Sequence, residues 1–336
     1  MSTNIRLVQL QHPAKGRKIA IVDEPNLLLL KNVDSVYNLA LQAMDTGKKL
    51  SSFINENISD EKIKYDDVYN GTSDWKLLPS FDNPSIPSHC IVSGTGLTHN
   101  SSALNRQVMH QTEAGTLTDS MKVYQWGVDG GKPGAGKIGI QPEWFYKGTG
   151  SVLRGHGDAL LVPDFGNDGG EEPEIAGIYI IDRKGQPVRI GFTTGNEFSD
   201  HIMEKKNYLY LAPSKLRTCS IGPELVITND FSSLDGHVSV TRKGEELWSA
   251  NIQTGENNMA HSLENLEYHH FKYADHRQPL QAHVHFFGTG AFSFGTGLRL
   301  ETGDVMKVEW KGMGRALLNT ITIENNEEKI IQVKEI

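Results

Sequence analysis

Residues 172–215 read EPEIAGIYIIDRKGQPVRIGFTTGNEFSDHIMEKKNYLYLAPSK, and their reading decides the fold. The apolar run after Glu172-Pro173-Glu174 predicts a β-strand, in which residues i and i+2 face one side, so Glu172 and Glu174 converge. Asp182-Arg-Lys-Gly185 supplies a turn, Val188 to Phe192 returns as a second strand, and Glu197 follows Gly195 at that strand's end. Three carboxylates brought together offer only hard oxygen donors, which suit Mg²⁺, Mn²⁺ or Ca²⁺ better than Zn²⁺. Lys215 closes the stretch and places an amine within reach of such a site.

Spacing alone leaves a second reading open, because two glutamates on a strand edge are commonly a solvated face. An EF-hand fits Asp164-Phe-Gly-Asn-Asp-Gly-Gly-Glu-Glu172 poorly, since the oxygen ligand at the loop's third position and its closing glutamate are missing.

Working outward, 336 residues with 38% hydrophobic content can bury one substantial core or two smaller ones. A formal net charge of -8 and the absence of a lysine or arginine run argue against nucleic-acid binding, which needs a basic stripe. Cys90 and Cys219 are too few for a disulfide framework and are expected reduced in or near the core. The N-terminus lacks the pattern of a signal peptide, and no window reaches the apolar length of a membrane span. A soluble cytoplasmic protein without membrane or nucleic-acid partners is the expectation.

Ile5 to Leu10, Lys18 to Val22 and Leu27 to Leu30 read as strands. Ser35 opens a helix carrying Val36, Leu39, Ala40 and Ala43, and Leu50 to Ile54 adds another amphipathic turn. The segment Ser80-Phe-Asp-Asn-Pro-Ser-Ile-Pro-Ser88 has linker composition, which sets expected domains of 1–85 and 86–336. Beyond it short strands alternate with glycines, and helices are expected only around Ser101 to His110, Asp200 to Lys206 and Asn265 to Phe271. The fold class expected is a β-rich α+β protein.

Several patterns carry less. Gly134-Ala-Gly-Lys-Ile-Gly139 matches a dinucleotide fingerprint, and Gly131 to Lys137 nearly matches a P-loop. No strand and helix flank them and no Ser or Thr follows Lys137, so a surface or lid loop within Gln111–Gly139 is expected instead. His283 and His285 share a strand face without a third ligand spaced to suit a metal, and His269, His270 and His276 are discounted likewise. Trp126, Trp144, Trp248 and Trp310 are expected in the core. Ser214 has no histidine and acid in a recognisable triad context.

A wider set of motifs runs through the chain: Ser93-Gly-Thr-Gly-Leu-Thr98 with Ser102 and Arg106, Pro142-Glu-Trp-Phe-Tyr-Lys147, Gly155-His-Gly-Asp158, Gly191 to Ser199, Asn207 to Leu211, Ser214-Lys215, Gly222-Pro223, Gly288-Thr-Gly290, Gly303-Asp304 and Gly312-Met-Gly314. In this order they resemble the fumarylacetoacetate hydrolase superfamily from about Asn83 onward, and within it the 2-keto-3-deoxy-D-arabinonate dehydratases most closely. The resemblance implies a rolled mixed β-sheet domain of residues 86–336 after a smaller α+β domain, and a homodimer. Two departures stand out. The third ligand is Glu197 where the family usually has aspartate, and His201-Ile202 replaces an Arg-Asp pair common in the family, removing a fixed positive charge near the site.

The resemblance further implies Mg²⁺ on Glu172, Glu174 and Glu197, a small-molecule 2-keto acid substrate, Lys215 as the base at C3 and Glu143 as the acid for the departing C4 hydroxyl. Chelation of a 2-keto acid by a divalent ion acidifies the C3 proton, which gives the assignment its chemical sense. Thr289 is implied at the substrate carboxylate, Ser102 and Arg106 at the distal hydroxyls, and Lys147 near the carboxylates. The activity implied is dehydration of a 2-keto-3-deoxy sugar acid to 2,5-dioxopentanoate. A C–C hydrolase of acylpyruvates or diketo acids, with His110 and Glu113 activating water, and a non-catalytic keto-acid-binding protein remain as alternatives.

Overall fold

The computed structural model describes residues 4–110 and 117–336, the side chains of residues 108–110 excepted. Three antiparallel strands, β1 (Ile5–His12), β2 (Gly16–Asp23) and β3 (Asn26–Leu30), lead to α1 (Val36–Asp45), whose N-cap Ser35 accepts from the Asn38 N–H. Then come α2 (Leu50–Glu56), β4 (Ile58–Lys64), the short α3 (Tyr65–Tyr69) and the two-residue β5 (Lys76–Leu77).

After the proline-rich segment follow β6 (Cys90–Gly96), α4 (Asn100–His110), α5 (Asp119–Gly130), β7 (Glu143–Thr149), β8 (Leu153–Arg154) and β9 (Ala159–Val162). The long strands β10 (Pro173–Ile181) and β11 (Pro187–Asn196) form the expected hairpin. The chain continues through α6 (His201–Lys206), α7 (Leu211–Ser214), β12 (Cys219–Ile227), β13 (Leu234–Arg242), β14 (Glu245–Thr254), α8 (Leu263–Phe271), β15 (Ala282–Phe286), β16 (Val305–Trp310) and β17 (Leu317–Ile323).

Among the described residues, twelve strands make one mixed sheet whose main path runs β4-β3-β2-β1-β12-β11-β10-β15-β6-β7, and five make a second ordered β14-β13-β16-β17-β9. Strand β10 is buried along its whole length, as an unbroken apolar run requires when both faces are covered. Ala176, Ile178 and Ile180 pack with Val36, Leu39 and Val284 on one side, while Ile175, Tyr179 and Ile181 pack with Val308 and Trp310 of the second sheet on the other. The sheet crosses the boundary expected at residue 85, because β1 pairs with β12 at Leu7↔Leu225, and Leu7 and Ile19 share a core with Val92 and Ala176.

Two expectations are corrected. The segment read as a loop within residues 111–139 contains α5, capped by Thr118, whose hydroxyl accepts from the Met121 N–H. Trp126, expected in the core, is 55% exposed on that helix. Both follow from the same cause: α5 buries only a narrow strip, with Gly127 against His261 and Ala260, so its apolar residues mark an outer helix. The glycine pattern Gly134–Gly139 lies between α5 and β7 with no helix after it, in keeping with the rejection of a phosphate site. Cys90 and Cys219 are free and buried. No described helix is long and apolar enough to cross a membrane.

Behind the central strands lies a set of buried histidines. Trp144 Nε1–H donates to His270 Nδ1 at 3.2 Å, His270 Nε2 lies 3.0 Å from His283 Nδ1, and His285 sits between Ser93 and Thr95 at 2.9 and 2.8 Å. Because Trp144 can only donate, His270 must be protonated at Nε2 and give that hydrogen to His283, so the chain of bonds needs both rings neutral. Burial holds His99 and His261 down to about 4, His283 and His285 down to about 3, and His270 well below its ordinary value.

An unfolded imidazole titrates near about 6.5, so below that pH the unfolded chain binds protons that the folded one refuses. The stability these groups contribute is whole above about pH 6.5 and is lost as pH falls toward the folded values, by about 2 kcal/mol per group at pH 5. Urea midpoints measured near pH 7.5 and near pH 5 should therefore differ strongly, the lower pH giving the lower midpoint. Equal midpoints would contradict the neutral-histidine network.

Candidate active site

The β10–β11 pairing builds the site. Its register sets Pro173 against Asn196 and Glu174 against Gly195, so Glu172 and Glu174 at the start of β10 come beside Glu197 at the end of β11. Backbone bonds fix the corner, with Glu197 N–H donating to Glu172 O at 2.9 Å. Carboxylate oxygens of Glu172, Glu174 and Glu197 all lie within 4.8 Å of one another, and all three residues are buried. The solvated-edge reading is thereby excluded.

Lys215, at the C-cap of α7, sends Nζ to Glu172 Oε1 at 2.7 Å, Glu197 Oε2 at 2.6 Å and Ser199 Oγ at 2.9 Å. Its ammonium also lies 4.8 Å from the centre of the Phe145 ring. Burial alone would lower its pKa, but the two glutamates outweigh burial and hold it above its ordinary value. Lys147 lies one layer deeper. Its Nζ pairs with Glu197 Oε1 at 2.6 Å and donates to the carbonyls of Phe198 at 2.5 Å and Lys215 at 3.0 Å.

Three carboxylates thus face two ammonium groups. Burial would raise Glu172, but Lys215 and the His201 bond keep it well below the usual range. Glu197 balances burial against Lys147 and Lys215 and sits at about 6. Among the described residues no ammonium group pairs directly with Glu174: burial, with Glu197 and Glu172 beside it, outweighs the pull of Lys215 and pushes it well above the usual range. The Gly288 N–H, which donates to Glu174 Oε2 at 2.7 Å, only partly offsets this. Gly288 has φ +97, and a Cβ there would meet Thr98 Oγ1, so the close approach needs glycine.

An all-oxygen donor set carrying unbalanced negative charge fits a hard divalent cation. Oxygens within 4.8 Å of one another need only small side-chain shifts to share a single ion whose metal–oxygen bonds are about 2.1 to 2.5 Å. The carboxylate of Glu197 is compatible with this role despite its extra methylene.

Around the acids, the cavity is lined by Gly96, Ser102, Arg106, Phe145, His201, Glu204, Lys215, Thr289 and Phe292. Helix α4 brings Ser102, whose hydroxyl donates to His99 O at 3.0 Å, and Arg106, which pairs with Glu143 at 2.8 Å and Glu204 at 2.5 Å. Thr289 donates to Ala291 O at 2.9 Å and is among the residues lining the cavity. Glu143, on β7, packs over Gly96, one of the lining residues: a Cβ at residue 96 would lie 1.8 Å from Glu143 Oε2. Burial raises the Glu143 carboxyl, Arg106 opposes, and Glu204 adds to the rise.

The sequence reading brought most of these residues together. Lys147, expected near the carboxylates, pairs with Glu197 and donates to the Lys215 carbonyl. His201, read as the loss of a positive charge, donates its Nε2–H to Glu172 Oε1 across 3.0 Å and stacks 4.8 Å from Phe292. Burial works against its charged form, yet the Glu172 contact raises its pKa. Glu171 was missed: its carboxylate takes the Ser293 N–H at 2.6 Å and hydroxyl at 2.9 Å, which anchors the segment carrying Phe292. Glu204 was missed too, although it lies three residues after His201 on a helix opened by Asp200, a spacing that shares a face. Glu113 and the side chain of His110 lie outside the described residues.

No family model matches the chain. The two packed sheets are nonetheless those of the fumarylacetoacetate hydrolase fold, as expected from the motifs. The 2-keto-3-deoxy-D-arabinonate dehydratase solved with magnesium and 2,5-dioxopentanoate superposes with a TM-score of 0.70 over 96% of this chain and 100% of that one, at 20% identity. A 2-hydroxyhepta-2,4-diene-1,7-dioate isomerase from Mycobacterium marinum superposes with a TM-score of 0.59 over 96% and 100%, at 15% identity.

In sequence, the chain is 30% identical over 130 residues to the 2-dehydro-3-deoxy-D-arabinonate dehydratase of Saccharolobus solfataricus, covering 37% of this chain and 42% of that protein. It is 35% identical over 121 residues to a probable 2-keto-3-deoxyxylonate dehydratase of Haloferax volcanii, covering 34% and 40%. The matched stretch spans about two fifths of each of these curated relatives.

Glu174→Gln offers a test of the charge balance. It should raise the melting temperature of metal-free protein, because it removes the carboxylate without a cation partner, and it should abolish the stabilisation that Mn²⁺ gives the parent. Thermal scans with and without Mn²⁺ decide it, and a lower metal-free melting temperature in the variant would contradict the assignment.

Proposed function

We propose that the protein is a divalent-metal-dependent hydro-lyase that removes water from a 2-keto-3-deoxy sugar acid, most simply a pentonate, giving 2,5-dioxopentanoate. The observation that carries this reading is the buried cluster of Glu172, Glu174 and Glu197, the first two lining a cavity together with Lys215, and a second acid, Glu143, packed over Gly96 of the same lining. The names of the two curated relatives and of the magnesium-bound structural neighbour support the substrate class.

Glu172, Glu174 and Glu197 would hold the ion, Mg²⁺ by preference with Mn²⁺ or Ca²⁺ as alternatives. When bound, the ion supplies Lewis-acid polarisation of the 2-keto group, which acidifies the protons on C3. Lys215 Nζ would take one of these protons as a neutral amine, a state favoured by burial if Glu172 and Glu197 engage a cation in place of its ammonium. Glu143 delivers a proton from Oε2 to the C4 hydroxyl, which leaves as water while the C3–C4 double bond forms. A proton shift from C5 to C3 and ketonisation of the resulting enol then give the second carbonyl.

Thr289 beside Gly288 binds the substrate carboxylate, and Ser102 with Arg106 meets the distal hydroxyls. Lys147 keeps Glu197 and the Lys215 backbone in place. A cytoplasmic homodimer belongs to the same reading, supported by the family resemblance and by two free, buried cysteines.

The test is incubation of Mg²⁺-loaded protein with 2-keto-3-deoxypentonates, 2-keto-3-deoxyhexonates and acylpyruvates, with products identified by mass spectrometry. Loss of one water from a deoxy sugar acid is expected. Lys215→Ala and Glu143→Gln should each lower kcat at least 100-fold, while His110→Ala should leave it within a factor of about two. Chain cleavage of an acylpyruvate that depends on His110 would overturn the reading in favour of a hydrolase.

A further inference from the structure

Arg106 stands between two carboxylates. Its Nη1 meets Glu143 Oε1 at 2.8 Å and its Nη2 meets Glu204 Oε1 at 2.5 Å. The three groups come from three elements, α4, β7 and α6, and their side chains are only 13%, 15% and 4% exposed. The single charge of the guanidinium is thus divided between two carboxylates in a site with little water, where an incompletely compensated carboxylate is stabilised by taking a proton.

Geometry says where that proton sits. Glu143 Oε2 is buried with no hydrogen-bond partner among the described residues, packed over the bare backbone of Gly96. A buried, unpartnered carboxylate oxygen is costly when ionised and much cheaper as a hydroxyl. The other charged groups near this trio are Lys215, which favours the ionised form of Glu143 and also faces Glu204, His201, whose charged form Glu204 favours, and Glu172, which acts on Arg106. On the remaining side, Trp144 bonds the neutral ring of His270. Burial and Glu204 push the Glu143 carboxyl upward against the pull of Arg106, in the same direction as the geometry.

We propose that Glu204 is a positioning residue for the acid: by drawing one edge of the Arg106 guanidinium to itself, it leaves Glu143 able to keep a proton on Oε2 at neutral pH. This deepens the proposed dehydration and rests on it for the use of the proton, but not for the proton's location. Without Glu204, the whole charge of Arg106 would fall on Glu143 and hold it as a carboxylate, unable to protonate a leaving hydroxyl.

The experiment is a carboxyl titration by isotope-edited infrared spectroscopy on the Mg²⁺-loaded full chain, with the Glu143 band identified by its loss in Glu143→Gln. In the parent the protonated band should persist above the ordinary carboxyl range. In Glu204→Gln its midpoint should fall by at least one pH unit, and Glu204→Asp should restore most of the difference. The alkaline limb of kcat/KM for the sugar acid should move by the same amount.

Arg106→Gln provides the opposite displacement and should raise the Glu143 midpoint, which keeps the test decisive if Glu204→Gln does not fold. An unmoved Glu143 midpoint in a folded Glu204→Gln or Arg106→Gln protein would overturn the proposal. Midpoints that move as expected in a protein that never dehydrates a sugar acid would support the coupling and sink the dehydratase reading instead.

Discussion

Burying three carboxylates in one place is the constraint on which the rest of this structure depends. Each ionised group taken out of water costs several kcal/mol unless charge and hydrogen bonds replace what water gave. Lys215 and Lys147 supply two positive charges, Ser199 and the Gly288 N–H supply hydrogen bonds, and His201 adds a contact to Glu172. The remaining deficit falls on Glu174. A protein that keeps such a deficit in a cavity rather than packing it away with apolar residues has kept a binding site for a cation.

The scaffold follows from that requirement. Strand β10 is covered on both faces by the N-terminal helices and the second sheet, which makes its first residues a rigid and dry platform. The hairpin to β11 returns the third acid to the first two, and the short α6 and α7 bring His201, Glu204 and Lys215 back over them. Loops that carry Gly288 and Phe292 close the cavity because Glu171 and Glu174 bind their backbones.

Much of this was legible in the chain. The alternation around Glu172-Pro-Glu174, the turn at Asp182–Gly185 and the apolar return to Phe192 predicted the hairpin, and a helix beginning at Asp200 was readable from its cap. The motif resemblance supplied Lys215, Glu143, Ser102, Arg106 and Thr289, and the structure gathers the last three with Lys215 around the cavity while Glu143 leans over Gly96. What was not legible depends on partners far apart in sequence. Helix α5 was missed because its apolar residues face outward, so its period reads weakly against a core. The linkage of His270, His283 and His285 joins α8 to β15, and nothing in local spacing reveals it. Glu204 and Glu171 looked like ordinary charged residues until the fold turned them inward.

The central claim is that the buried acids form a cation site that works by chelating a 2-keto acid. Binding of the two ligands must then be coupled, each tightening the other by the same factor. The most direct measurement is the Mn²⁺ dissociation constant, read from electron paramagnetic resonance of free Mn²⁺, with and without saturating pyruvate as an unreactive keto acid. The account predicts binding to the Glu172, Glu174 and Glu197 site that tightens at least tenfold with pyruvate and is lost in Glu174→Gln. Mn²⁺ affinity that is indifferent to pyruvate, or to loss of Glu174, would contradict it.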